Sequence, residues 1–259
     1  MLPQAGEGFV WTEESIGPVL RCAPLGEVAA HVFSTRSLAL ERPESDGTAW
    51  RALAGVVGVA PLDLRRIRQV HGTAVASVRS GEPVSPDLPA ADIIVTDDPA
   101  LAVAVQVADC VPLLIADRRT GAVAAAHAGW RGTAAGVAGA AVAALERAFG
   151  ARRADLVAAV GPSIGPCCYE VGEEVREAFR RAGFDTAQVG RWFAQGPRGR
   201  PHLDLWRATA EQLEAAGVPP TAIHLSRLCT ATHRQAFWSY RVEGPGTGRL
   251  AGAIRARGD

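Results

Sequence analysis

The sequence predicts a single α/β domain in which a mixed or partly antiparallel sheet is flanked by helices. Short apolar runs bounded by turn-forming residues are mixed with longer segments of helical pattern. Residues 101–126 leave no room for crossover helices between successive runs, so some of the strands must be antiparallel. The Pro/Gly segments are too short to be interdomain linkers, which predicts one domain over residues 1–259.

The strands and helices are predicted mainly for the middle and later parts of the chain. Five apolar runs predict strands, at residues 92–96, 101–107, 111–116, 122–126 and 156–160. Three longer segments predict helices, at residues 133–149, 172–182 and 203–216. The last helix is closed by Gly217 and by two prolines that follow it.

All 27 basic residues are arginine, because the chain contains no lysine. This composition excludes a Schiff-base lysine and the lysine of a Walker A phosphate loop. Any phosphate group must therefore be bound by arginine side chains or by backbone N–H groups, and the arginine fork suits phosphate well.

Charge, cysteine content and hydropathy indicate a cytoplasmic protein that acts on small molecules. The net charge is zero and the pI is about 7.0, whereas nucleic-acid binders usually concentrate positive charge. The five cysteines are odd in number and too sparse for a disulfide scaffold, and they fit a reducing compartment. We expect no signal peptide at the N-terminus. We also expect no membrane span, because the longest uncharged apolar stretch, residues 132–145, is shorter than the roughly 20 residues needed.

Three segments place a possible metal ligand just beyond a strand-like run. RQVHG offers His71, ADCVP offers Cys110, and AHAGWRG offers His127. Two imidazoles and one thiolate can bind zinc and leave a fourth position for water, as in catalytic zinc sites. Each residue taken alone also fits a structural role, with the histidines at strand ends and Cys110 packed as a small apolar side chain.

Three further features each suggest a separate chemistry. GPSIG, with Ser163, matches the serine-hydrolase nucleophile elbow, although no helix is predicted directly after it. Adjacent Cys167 and Cys168 lack the C-x-x-C spacing of redox motifs and are interpreted as buried small residues. Arg241 and Arg249 lie on either side of a Gly-Pro-Gly-Thr-Gly turn that suits either an anion site or a solvated hairpin.

The set of motifs RQVHG, ADCVPLLIAD, AAHAGWRG, GPSIGPCCYEVG and CTATHRQAFWSYR with TGR resembles the YfiH/YlmD-type family of purine nucleoside phosphorylases. That family was formerly labelled as laccase-domain or polyphenol oxidase proteins. The motifs run from His71 to Arg249. The N-terminal region departs from the family pattern, since Phe33-Ser34-Thr35-Arg36 is not followed by the usual glycine-rich stretch.

The resemblance implies a YfiH-like fold and zinc held by the residues that match the family motifs, His71, Cys110 and His127. It implies phosphorolysis of adenosine, inosine, guanosine and methylthioadenosine, together with adenosine deamination. Purine nucleosides and phosphate are then the expected partners, and nucleic acids and membranes are not. Candidate phosphate-binding residues are Arg36, Arg131 and Arg241.

Three alternatives to this function remain open at this point. A copper-dependent polyphenol oxidase follows from the older family name, but six histidines without an H-x-H pair are too few for a multicopper cluster. A hydrolase with Cys110 as nucleophile and His127 or His71 as base would act on an amide, for instance in a cell-wall precursor. A binding module without enzymatic activity is the third.

Overall fold

A computed structural model describes residues 1–38, 40, 47–82, 87–196 and 199–257 of the protein. Its strands are β1 Phe9–Glu14, β2 Gly17–Cys22, β3 Ala29–Phe33, β4 Leu64–Arg66, β5 Val75–Ser77, β6 Ile93–Thr96, β7 Ala102–Val107, β8 Val111–Asp117, β9 Val123–Ala128, β10 Leu156–Val160, β11 Phe193–Gln195, β12 Pro201–Leu203, β13 Ile223–Leu225 and β14 Leu250–Ala256. Its α-helices are α1 Ala23–Gly26, α2 Thr48–Val57, α3 Trp130–Ala134, α4 Val137–Phe149, α5 Glu173–Arg181, α6 Thr186–Trp192, α7 Leu205–Ala215 and α8 Tyr240–Glu243.

Two mixed sheets of six strands each form the centre of the fold. The first has the strand order β1-β2-β3-β14-β7-β4, and the second has the order β13-β10-β8-β9-β6-β5. Most neighbouring strands are antiparallel, while β4 with β7, β5 with β6 and β10 with β13 are parallel. The predicted fold class, a layered α/β arrangement with mixed sheets and flanking helices, is confirmed.

The two sheets pack face to face, and helices cover their outer faces. Successive side chains of a strand point to opposite faces of the sheet, so one strand can contribute to the core between the sheets and to the core beneath the helices. In β6, Ile94 packs in the core between the sheets, whereas Ile93 and Val95 point to the core formed with α3 to α7. On the outer face of the first sheet, α2 supplies Trp50 and Leu53 to a third apolar cluster. The architecture is therefore helix, sheet, sheet, helix.

All five predicted strands are present, but they divide between the two sheets. β7 belongs to the first sheet and β8 to the second, so the short turn between them carries the chain from one sheet to the other. β8 and β9 form the expected antiparallel pair. The predicted helix 133–149 is divided into α3 and α4 at Gly136, whose φ of 81° is incompatible with a continuous helix.

Most of the first sheet is not predicted by the sequence pattern. β1 lies at a sheet edge and contains Thr12, Glu13 and Glu14, so it lacks a continuous apolar run. β14 is buried along most of its length but includes glycine and arginine, which are poor strand signals. None of the helices in the described ranges has the length and apolar character required to cross a bilayer.

Candidate functional site

The candidate site lies where the chain crosses from the first sheet to the second. His71 lies between β4 and β5, and Cys110 lies between β7 and β8, so each is in a connection between the two sheets. His127 is near the end of β9 in the second sheet. The backbone at these crossings is tightly turned, with positive φ angles of 62° at His71 and 81° at the neighbouring Asp109.

The three side chains predicted as metal ligands converge. One ligand atom from each of His71, Cys110 and His127 lies within 4.8 Å of the other two. The imidazole rings of the two histidines are 4.7 Å apart between centroids and lie at 81° to each other. A Cβ atom at Gly129 would be 2.9 Å from the Cys110 Sγ and 3.1 Å from the His71 Cδ2, so glycine is needed beside the cluster.

Asp92 holds two parts of this cluster in place. Its Oδ1 is 2.8 Å from the His127 Nδ1, and its two oxygens accept hydrogen bonds from the backbone N–H groups of Val70, His71 and Gly72 at 3.1, 2.9 and 2.7 Å. The carboxylate is fully buried. Since the His127 Nδ1 carries the proton of this hydrogen bond, Nε2 is the atom available as a ligand, which is a common arrangement at metal sites.

The charges of Cys110 and His127 stabilise each other. Burial raises the pKa of the Cys110 thiol, but the positive charge of His127 and hydrogen bonds from both histidines outweigh burial and lower the pKa to about 6. Burial lowers the pKa of His127, but the Cys110 thiolate and Asp92 raise it to about 9. A half-buried thiolate at neutral pH can serve as a metal ligand or as a nucleophile.

In chelator-treated protein, we expect the rate at which iodoacetamide alkylates Cys110 to reach half of its maximum near pH 6, because the thiolate is the reactive form. Mass spectrometry of peptides after brief labelling between pH 5 and 9 measures this midpoint. Cys22 is the internal control, since burial raises its pKa to about 11. A Cys110 midpoint above pH 8 would contradict the charge pairing.

A second group of side chains adjoins the cluster, and of its members only Arg241 was predicted from the sequence. The Asp109 carboxylate accepts hydrogen bonds at 2.6 Å from the Thr230 hydroxyl and from the Arg241 backbone N–H. The Arg241 guanidinium carbon is 5.2 Å from the centroid of the Tyr169 ring, and its Nη1 donates to the Glu170 carbonyl at 2.7 Å. These bonds attach the C-terminal segment to the turn that carries Cys110.

Tyr169 is electrostatically coupled to the cluster and to two of the predicted arginines. Burial raises the pKa of its phenol, the negative charges of Cys110 and Asp109 raise it further, and Arg241 and Arg131 oppose them. The phenol therefore stays protonated at neutral pH and can donate a hydrogen bond. The charges of Arg131 and Arg241 therefore both act on this phenol.

The contacts of Arg36 are on the C-terminal segment. Its guanidinium carbon lies 3.9 Å from the Trp238 ring centroid, its Nη1 is 3.6 Å from the Glu243 Oε1, and it donates to the Arg234 carbonyl. Arg249 donates to the carbonyls of Thr247 and Gly248 at 3.0 Å. The Gly-Pro-Gly-Thr-Gly turn thus engages Arg249 through its carbonyl oxygens.

The nucleophile-elbow hypothesis for Ser163 is wrong. Ser163 is fully buried, and its Oγ accepts a hydrogen bond from the Trp206 Nε1 at 2.7 Å. No helix begins at this serine, which instead forms a bridge with Cys229. The interpretation of Cys167 and Cys168 as buried is also wrong, since Cys167 is exposed and Cys168 is half-buried.

Comparison with known proteins shows the family to which this chain belongs. The sequence profile of the family described as multi-copper polyphenol oxidoreductase laccase matches residues 31–257. The chain belongs to this family. The match includes every residue of the cluster and each of the three candidate arginines.

Relatives of this laccase-family chain have names that describe purine chemistry. A protein of Bacteroides thetaiotaomicron named purine nucleoside phosphorylase is 41% identical over 163 residues, which are 63% of this chain and only 60% of that relative. A protein of an unknown prokaryotic organism named adenosine deaminase RL5 is 37% identical over 204 residues, which are 76% of each chain. The crystal structure of YlmD from Geobacillus stearothermophilus matches with a TM-score of 0.83 and 30% identity, covering 96% of this chain and 99% of that one.

Proposed function

We propose that the protein is a zinc-dependent purine nucleoside phosphorylase that also deaminates adenosine. Its proposed substrates are adenosine, inosine, guanosine and methylthioadenosine, with phosphate as the co-substrate. The convergence of His71, Cys110 and His127 at the crossing between the sheets is the observation that carries the proposal. The names of the relatives, a purine nucleoside phosphorylase and an adenosine deaminase, support the substrate class.

The donor set fits a catalytic zinc ion better than a structural one. Two imidazoles and one thiolate leave a coordination position open, whereas structural zinc sites use four protein ligands. The carboxylate of Asp92 orients His127 through the hydrogen bond to Nδ1, as the hydrogen-bond partners of zinc-ligating histidines do. Zinc at these ligands would supply Lewis acidity and lower the pKa of water.

In phosphorolysis, a phosphate oxygen attacks the anomeric carbon of the sugar while the bond to the purine nitrogen breaks. The electron pair of that bond goes to the purine, which then takes up a proton. In our proposal Arg131 and Arg241 bind and orient the phosphate, because the arginine fork matches its oxygens and both guanidinium charges act near Tyr169. Arg36 is the third candidate and acts next to Trp238 and Glu243.

In deamination, water adds to the purine carbon that bears the amine, and ammonia leaves. The protein must then hold the base beside the metal ligands and move protons from the water to the leaving nitrogen. The phenol of Tyr169 is a suitable hydrogen-bond donor to the base. Burial and the negative charge of Cys110 raise its pKa, so the phenol keeps its proton at neutral pH.

The pairing of Cys110 with His127 also favours a second candidate, the cysteine hydrolase. A thiolate whose pKa is about 6 beside a protonated imidazole is the arrangement found in cysteine nucleophiles. Such an enzyme would cleave an amide without metal and without phosphate. The two candidates therefore make opposite predictions for a chelated enzyme.

The deciding experiment incubates adenosine with untreated, chelated and zinc-restored protein, each with and without phosphate. Chromatography of the products separates adenine and ribose 1-phosphate from inosine. We expect adenine only when phosphate is present, inosine without phosphate, inosine or its phosphorolysis product hypoxanthine with phosphate, and loss of all these products after chelation. Full activity of a protein whose metal loss has been verified by elemental analysis would exclude the zinc mechanism.

We expect Arg131→Ala to lower kcat/KM for phosphorolysis about tenfold, since a charged hydrogen bond near the surface contributes roughly 1.4 kcal/mol. Deamination should be retained, because it uses no phosphate. The matched control is Arg147→Ala, which removes an exposed arginine from α4. Equal loss of both activities in Arg131→Ala would exclude a specific phosphate role.

A further inference from the structure

A second cluster of sulfur ligands is formed by residues other than the proposed zinc ligands. The Sγ atoms of Cys167, Cys168 and Cys229 all lie within 4.8 Å of one another. Cys167 is exposed, Cys168 is half-buried and Cys229 is buried, so the cluster extends from the interior to solvent. Among the described residues this group contains cysteines alone, without histidine or carboxylate.

The backbone fixes the positions of these three sulfurs. Cys229 forms a parallel bridge with Ser163, and its Sγ accepts a hydrogen bond from the Gly165 N–H at 3.2 Å. Gly165 is held against the Trp206 ring, where a Cβ would come within 2.5 Å of a ring carbon. The Cys168 backbone N–H donates to the Gly165 carbonyl at 3.0 Å. The same glycine therefore connects the buried sulfur to the turn that carries the other two.

The spacing of the sulfurs matches a trigonal metal site. Sulfurs bound at about 2.3 Å around one ion lie roughly 4 Å from each other. The Cys167 and Cys168 sulfurs are 3.5 Å apart, and the third is within 4.8 Å of both. Small side-chain rotations would bring all three to bonding distance, because two of them are at least partly free of packing.

We propose that Cys167, Cys168 and Cys229 form a binding site for one Cu(I) ion. Soft thiolate ligands suit Cu(I), and three sulfurs alone satisfy its low coordination number, whereas a zinc ion held by these three sulfurs would still need a fourth ligand such as water. The Thr232 hydroxyl lies beside the sulfurs, 3.6 Å from the Cys167 Sγ and 3.4 Å from the Cys168 Sγ. A neutral hydroxyl is a poor zinc ligand and a useful hydrogen-bond donor to thiolates.

The surroundings of the three thiols shift the pKa values of Cys229 and Cys167 in opposite directions. Burial raises the pKa of Cys229, but hydrogen bonds from Thr232 and from the Gly165 N–H outweigh this and lower it. Burial and the neighbouring sulfurs raise the pKa of Cys167 to about 12. Binding of Cu(I) to the three sulfurs would displace their thiol protons to solvent.

The test is a Cu(I) titration of the reduced full chain under anaerobic conditions, after addition of one equivalent of zinc. Bathocuproine disulfonate serves as a coloured competitor for Cu(I). The wild type is expected to withhold one more equivalent of Cu(I) from the competitor than the Cys167→Ser/Cys168→Ser double variant. These two substitutions are at non-buried positions, and a thermal melt verifies that the variant is folded.

The control variant is Cys110→Ser, which is expected to retain the additional equivalent because Cys110 belongs to the other cluster. X-ray absorption of the Cu(I)-loaded wild type is expected to show sulfur neighbours only. Equal Cu(I) uptake by the wild type and the double variant would overturn the proposal. So would nitrogen neighbours of copper, or displacement of Cu(I) by a moderate excess of zinc.

Discussion

Asp92→Asn is expected to weaken zinc binding by about 10- to 100-fold, the usual effect of removing an outer partner of a metal ligand. Asparagine keeps the size of the side chain but removes the negative charge that faces the His127 Nδ1 at 2.8 Å. It also presents an N–H₂ group where a carboxylate oxygen accepts backbone N–H bonds from the His71 turn. Both His127 and His71 therefore lose orientation in a single substitution.

Competition with a fluorescent zinc chelator measures this loss of affinity. The matched control is Asp97→Asn, an exposed carboxylate five residues later in the same segment, which should bind zinc like the wild type. Activity of Asp92→Asn should recover at high zinc concentration if the role of Asp92 is to position the ligands. Zinc affinity equal to that of the wild type would show that Asp92 only stabilises the turn.

Gly161→Ala is expected to reduce the free energy of unfolding by about 1–3 kcal/mol, as overpacking of a core does. A Cβ at this position would lie 2.4 Å from the Phe33 ring and 2.8 Å from the Pro112 Cγ. Phe33 comes from the first sheet and Pro112 from the second, so the methyl group would push the sheets apart. Urea denaturation followed by circular dichroism measures the change.

Gly139→Ala is the control for a glycine with space around it. A methyl group added at Gly139 in α4 would have none of the described residues outside its own stretch of helix within 4 Å, and alanine should stabilise that helix by about 0.5–1 kcal/mol. The two substitutions add the same group with opposite expected signs. If Gly161→Ala were as stable as the wild type, the close packing of Phe33 on the backbone would be refuted.

The sequence was sufficient to predict four of the six strands of the second sheet, β6, β8, β9 and β10, and the candidate cluster. Strand runs such as 111–116 are apolar at every position because both faces are buried, between the sheets and beneath the helices. His71, Cys110 and His127 were selected because polar residues after such runs lie at strand ends. Their convergence required the fold, since tens of residues separate them along the chain.

Asp92 and Tyr169 were missed for different physical reasons. Asp92 was assigned to the start of a strand, and nothing local shows that its carboxylate accepts three N–H bonds from residues 70–72. The sequence signal that could have indicated Asp92 is an acidic residue placed directly before an apolar strand run. The importance of Tyr169 depends on the Arg241 stacked over its ring, which comes from a distant segment near the C-terminus.

The crossing of the chain between the sheets, at His71 and again at Cys110, makes the proposed metal ligands sensitive to how the sheets are aligned. A ligand that binds only this alignment adds its binding free energy to the folding equilibrium. Thermal unfolding therefore becomes a measure of metal occupancy that needs no substrate. Substitutions deep between the sheets, far from any nucleoside, should change metal affinity and melting temperature together.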